Sequence, residues 1–197
     1  MSAELAAAVR RLALALHSHE TDTIDEAAAI AGLDELSAGL RNGRRRLRWY
    51  EKDPDPARRP RGRELTAWSG VLNAAAPPMS LDGGRLDDGR PTIDGRVRID
   101  RLREGPPGFV HGGVVAGLFD EVMGAAQRLT QRPGAMTGRL TLRYRRPTPL
   151  DTDLLFRAWI EEDRSRRVLV RAASYIDGAE AARPTAEAEA IFVRGAR

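Results

Sequence analysis

The spacing of apolar residues changes several times along the chain, and each change predicts a different element. Leu5, Val9, Leu12 and Leu16 recur at i, i+4, i+7 and i+11, the stripe of an amphipathic helix. Residues 17–25 break that period and hold several side chains suited to an N-cap, so a second helix is expected over 25–41 and the region reads as a helical hairpin. Residues 44–68 are basic, Pro-rich and aperiodic, which predicts a linker or an irregular strap. From Val71 onward strands are expected: residues 76–82 lead into a Gly/Asp turn at 82–89, and an alternating run follows at 95–102. One long helix comes after the Gly/Pro turn at 104–108 and is expected to end near 132–134. Four strand-like segments follow at 137–146, 154–160, 167–176 and 185–193, separated by polar turns at hairpin spacing. This order predicts an α+β fold, a curved antiparallel sheet around one long central helix with an α-helical N-terminal extension. The expected division is residues 1–70 for the helices and basic linker, and 71–197 for the sheet and its helix.

The central helix has an unusual face. Wound at 3.6 residues per turn, Gly113, Gly117, Asp120 and Gly124 fall on one narrow stripe, while Val114, Val115, Leu118, Phe119 and Val122 fill the other half. Each helical glycine costs roughly 1 kcal/mol relative to alanine. Three of them flanking one carboxylate predict the close approach of another molecule, read here as substrate. Glu121, about 100° round the helix from Asp120, borders the stripe as a rival acid.

Composition narrows the chemistry. The chain has 197 residues, 30% of them charged and 42% hydrophobic, which suits a folded domain. It has no cysteine, excluding thiolate nucleophiles, disulfides and Cys-based metal sites. Of the histidines, His17 and His19 face different sides of their helix, and no metal site is expected. No secretory signal and no apolar run of membrane-spanning length are recognised, so a cytoplasmic protein is expected. The formal charge is +4, and arginine supplies every basic residue except Lys52, which favours an anionic partner without choosing one.

Four features together resemble one family: the His111-Gly112-Gly113 step, the acid nine residues after His111, the Met136-Thr137 pair opening a strand, and the run Arg143-Tyr-Arg-Arg-Pro-Thr-Pro-Leu150. They are similar to hotdog-fold acyl-CoA thioesterases, the phenylacetic-acid-degradation type and its vertebrate long-chain relatives, over roughly residues 79–193. The resemblance implies hydrolysis of an acyl-CoA thioester to free acid and CoA, and no cofactor, coenzyme A being part of the substrate. It implies a homodimer or dimer of dimers, with sites where two protomers pair sheet edges. Asp120 takes the catalytic acid's position, as general base or nucleophile. Thr137 matches a position that helps hold water. If its strand is regular, Thr137 shares a face with Arg139 and Thr141, so a bulge or edge position is needed to bring it to Asp120.

A thioester carbonyl also needs a donor for the charge that develops on its oxygen. Unpaired N–H groups gather at Gly112 and Gly113, at the positive end of the helix dipole, and the Gly113 N–H is the expected donor. His111 either orients the carbonyl or caps the helix. Some related thioesterases carry Asn or Gln six residues before this His, where Gly105 stands here. Arg143, Arg145 and Arg146, with the turn bearing Arg164 and Arg166, are candidate ligands for the CoA phosphates. The Glu-Gly-Pro-Pro-Gly turn leans toward a fatty acyl group. A hotdog dehydratase is not expected, because no Asp and His stand at the close spacing such enzymes carry.

An alternative is a non-catalytic acyl-CoA sensor that binds DNA. Residues 26–40 resemble a helix-turn-helix with Gly32 at the turn, followed by basic residues 41–48. Asp34 and Glu35 would then meet phosphates, so nucleic acid is not the expected partner.

Overall fold

The computed structural model describes residues 2–47, 51–52, 63–179 and 183–195. Most of the expected linker, including Asp53-Pro-Asp-Pro, lies outside them.

Two N-terminal helices form where capping residues allow. In α1 (Ala3–Ser18) the Ser2 hydroxyl accepts from Leu5 N at 3.2 Å, and in α2 (Glu26–Arg41) the Asp25 carboxylate accepts from Ala28 N at 3.0 Å. Helix α1 buries only Ala6, and α2 buries no residue. The helix expected over 25–41 is present, and the helix-turn-helix of the alternative reading is not. Gly32 lies inside one unbroken helix, where flanking Ala and Leu residues carry the chain through its low propensity.

The rest is a six-stranded antiparallel sheet: β1 (Ser80–Arg85), β2 (Pro91–Arg98), β3 (Met136–Tyr144), β4 (Asp153–Asp163), β5 (Arg167–Ile176) and β6 (Ala186–Val193), in the order β1-β2-β4-β5-β6-β3. Helix α3 (Gly112–Ala126) lies between β2 and β3 in sequence and packs across β2, β3, β4, β5 and β6. Its buried face of Val115, Leu118, Phe119, Val122 and Met123 meets Ile93, Val97, Phe156, Val168 and Phe192 from the strands. Small residues at Ala158, Ala172, Ala188 and Ala190 let the helix lie close to the sheet. The ring of Phe119 meets that of Phe156 edge-on, 5.0 Å between centroids. On β2, buried Asp94 takes three hydrogen bonds at 3.1, 3.3 and 2.8 Å from Arg157, its cross-strand partner, which pins the β2–β4 register.

Three expected boundaries move. The turn expected at 82–89 is strand up to Arg85. Gly84 fits there because a Cβ would stand 2.6 Å from the Thr92 hydroxyl, so the two strands pair closely only without one. The reversal is confined to residues 86–90, with Gly89 at a φ of 84°. No strand starts at Val71; the first begins at Ser80. Helix α3 ends at Ala126 and tightens into one 3-10 turn (Gln127–Leu129), short of the expected 132–134. A fourth feature was anticipated: β3 bulges between Thr137 and Arg139, which oppose Phe192 and Ile191, and β3 is a sheet edge.

Phe156→Ala is expected to lower unfolding free energy by about 3–5 kcal/mol, since the cavity opens beneath Phe119 where nothing can collapse into it. Urea denaturation of the variant checks this.

Candidate active site

The head of α3 is built by a tight turn. Gly108, at a φ of 81°, gives its N–H to the Glu104 carboxylate at 2.6 Å, and Gly105 N–H bonds to Phe109 O at 2.8 Å. His111 N–H then bonds to Arg103 O at 2.9 Å, which fixes where the helix begins. His111 is the N-cap, its Nδ1 accepting from Gly113 N–H at 3.0 Å. Of its two expected roles, capping is therefore the one the geometry shows. The Gly113 amide, the expected oxyanion donor, is committed to that cap. The open amide is that of Gly112, for which no acceptor is found among the described residues. At Gly105 a side chain has no room: a Cβ would stand 2.8 Å from His111 Cα.

Two turns on, the bulge at Gly138 turns Thr137 toward the helix, and its hydroxyl donates to Asp120 Oδ1 at 2.8 Å. Gln127 holds this end of β3. Buried, it accepts from Gly134 N and Ala135 N at 3.2 and 2.7 Å and donates to Ala135 O at 3.0 Å. Asp120 makes no ion pair among the described residues. It opens with Thr137, Gly124 and Met136 onto a cleft of about 760 Å³.

Glu121 lines the same cleft as Asp120, but its carboxylate is already engaged. Its carboxylate accepts from the Ser69 hydroxyl, which also bonds to Thr66 Oγ1 at 2.8 Å. The glycine stripe is likewise divided. At Gly117 the close neighbour is not a substrate but Trp68, whose indole carbons would lie 2.2 Å from a Cβ. Gly113 meets only its own His111, whereas Gly124 faces open space.

The two halves of the expected chemistry lie apart. Gly112 and Asp120 are eight residues apart on one helix, an axial separation of about 12 Å. Tyr144 marks the Gly112 end, its hydroxyl donating to Gly112 O at 2.8 Å, and Thr137 marks the Asp120 end. Helix α3 and strand β3 thus run in opposite directions, with the open amide at one end and the carboxylate at the other.

Comparison with known proteins shows what the chain is similar to. The family model of the thioesterase superfamily matches residues 107–180, which hold His111, Gly112, Asp120 and Thr137. A solved thioesterase superfamily protein superposes with a TM-score of 0.80 at 27% identity, over 98% of this chain and 90% of that one. The chain thus resembles the thioesterase superfamily in this segment and shares its fold along nearly its whole length. Acyl-coenzyme A thioesterase THEM4 of Xenopus laevis is 38% identical over 65 residues, 33% of this chain. The match spans only 29% of that relative's length. Zebrafish thioesterase superfamily member 2 shares the fold, with a TM-score of 0.53 at 13% identity over 68% of this chain and 86% of its own.

The arginines of this hotdog domain form two groups rather than one. Arg143, Arg145 and Arg146 lie at or just beyond the Tyr144 end of β3, Arg145 pairing with Glu187 at 2.5 Å and Arg146 donating to Arg183 O. Arg164 and Arg166 lie in the β4–β5 turn at the other end, where Arg164 pairs with Glu162 at 2.9 Å and Arg166 lines a second cleft with Arg132 and Arg194. The ends of a nine-residue strand stand about 26 Å apart, so within one copy the two groups lie at opposite ends of β3. Sequence reasoning missed Tyr144, Gln127 and the segment bearing Trp68 and Ser69. For Gln127 a signal existed, a polar residue continuing the apolar face of α3 at Met123 + 4.

Gln127→Leu would leave Gly134 N, Ala135 N and Ala135 O unpaired, at about 1–3 kcal/mol for each group that water does not reach. A loss of roughly 2–4 kcal/mol in chemical denaturation is the expected result.

Proposed function

We propose that the protein is an acyl-CoA thioesterase that works as a homodimer or a dimer of dimers. One observation carries the reading: Thr137 holds one oxygen of Asp120 at the mouth of a cleft, while its other oxygen has no partner among the described residues. A carboxylate fixed in this way can take a proton from water or attack the thioester carbon itself. The oxyanion donor is the Gly112 N–H at the head of α3, where the helix dipole adds to the hydrogen bond.

Both groups must reach one carbonyl, and in a single copy they stand two turns apart. A second copy resolves the distance. Strand β3 is an unpaired edge, with Met136 73% and Tyr144 54% exposed. Antiparallel pairing of two β3 edges brings the Thr137 end of one beside the Tyr144 end of the other. Asp120 then faces Gly112 of the partner subunit, and Arg143, Arg145 and Arg146 of the partner subunit approach the same site. Coenzyme A enters as part of the substrate, and no separate cofactor is required. No described helix is long and apolar enough to cross a membrane, and a cytoplasmic location belongs to this reading.

Thiol release from CoA esters of graded acyl length tests the proposal. Turnover of at least one ester is expected, and Asp120→Asn is expected to lower kcat by about 10²–10⁴-fold with the oligomer intact. Binding without turnover of any ester would favour the acyl-CoA sensor instead.

A further inference from the structure

Residues 63–79, just before the sheet, form a folded strap. After a 3-10 turn (Arg63–Leu65), Leu72 N bonds to Glu64 O at 2.8 Å, Gly70 N to Thr66 O at 3.3 Å and Asn73 N to Gly70 O at 2.9 Å. Gly70 is required by this knot, since a Cβ there would meet Thr66 N and O at 2.6 Å. Side chains fasten the strap to its surroundings. Trp68 lies on bare Gly117 of α3, Ser69 bonds to Glu121, Arg10 of α1 donates to Asn73 O at 2.9 Å, and Arg103 donates to Ala75 O at 2.6 Å. Two residues that stand out in the sequence of α3, Gly117 and Glu121, thus both serve as seats for the strap.

The strap is also a wall of the cleft that holds Asp120. Val71 shares that cleft with Met79 and Leu81 from the approach to the sheet, with Met136, and with the ring of Phe192. We propose that the strap sets acyl selectivity: Val71, Met79 and Leu81 contact the acyl group of the thioester, and the seat of Trp68 on Gly117 holds Val71 at a fixed distance from Asp120. The inference rests on the acyl-CoA reading of the same site. The group that fits is an unbranched aliphatic chain. Its neighbours here are the branched alkyl groups of Val71 and Leu81, the ring of Phe192 and two flexible thioethers, which shape themselves to a chain, and the cleft continues past Gly124, where a Cβ would meet nothing within 4 Å.

The test compares kcat/KM for dodecanoyl-CoA and butanoyl-CoA in three variants. Val71→Trp fills the cleft and is expected to lower the long-to-short ratio at least tenfold. Val71→Ala widens it, and Trp68→Ala frees the strap; both are expected to raise the ratio at least threefold. Opposite shifts at one position are not mimicked by general unfolding, and if Val71→Trp does not fold the other two variants carry the test. Wild-type turnover with every folded variant's ratio within twofold of the wild-type value would overturn the role of the strap. If the wild type hydrolyses neither ester, the hydrolase reading fails separately. The ratio of dissociation constants for the same two esters then tests the strap by the same thresholds.

Discussion

An α-helix is rigid, and that rigidity governs everything proposed for this site. The donor that receives charge on a thioester oxygen must lie about 3 Å from that oxygen, and the group that activates the attacking water must reach the same carbonyl through that one water. Here the open amide of Gly112 and the carboxylate of Asp120 sit on the same helix, about 12 Å apart along its axis. No side-chain rotation closes that distance. Either the two groups serve different purposes, or each works with the complementary group of another copy. The unpaired edge of β3, running antiparallel to the helix, offers the geometry for the second arrangement.

Much of the remaining structure holds those two ends in place. At the amide end, the Glu104–Gly108 turn, the His111 cap and the Tyr144 hydroxyl fix the first turn of α3. At the carboxylate end, Gln127 clamps the chain just before β3, and the bulge at Gly138 aims Thr137 inward. Between them the buried face of α3 locks the helix to the sheet through Phe119 and Phe156. On the far side of the helix, Trp68 and Ser69 hold the strap on positions that carry no side chain or a carboxylate. Stability and function are thus set by the same contacts, on opposite faces of one element.

The architecture was legible because its signals are local periods. The stripe of α3 and the alternating strands after it could be read from residue spacing, and the need for irregularity at Thr137 followed once the family resemblance placed it beside Asp120. Features decided by distant neighbours could not. Asp82-Gly83-Gly84 reads as a turn, yet it is strand, because β2 pairs with it across a surface where Gly84 makes room for Thr92 and Asp94. Of the glycines on the α3 stripe only Gly117 marks a close approach from elsewhere among the described residues, and the visitor is Trp68, 49 positions earlier in the chain. Which of two adjacent amides is open depended on the side-chain orientation of His111, and position in sequence says nothing about that. Nor could it be read that the strand-end and turn arginines lie at opposite ends of β3 within one copy, because a strand and a turn do not reveal which end of the sheet they occupy.

Subunit complementation tests the central claim most directly. Proline is well tolerated at the first position of a helix, so Gly112→Pro removes the open N–H while keeping α3, and Asp120→Asn removes the carboxylate. Each variant alone is expected to be nearly inactive. Unfolded together and refolded at equal amounts, half of the dimers are mixed, and each of these contains one site with both groups intact, which predicts recovery of about one quarter of wild-type activity if the sites act independently. Mixed dimers that form but remain as inactive as either parent would contradict a site shared between two copies.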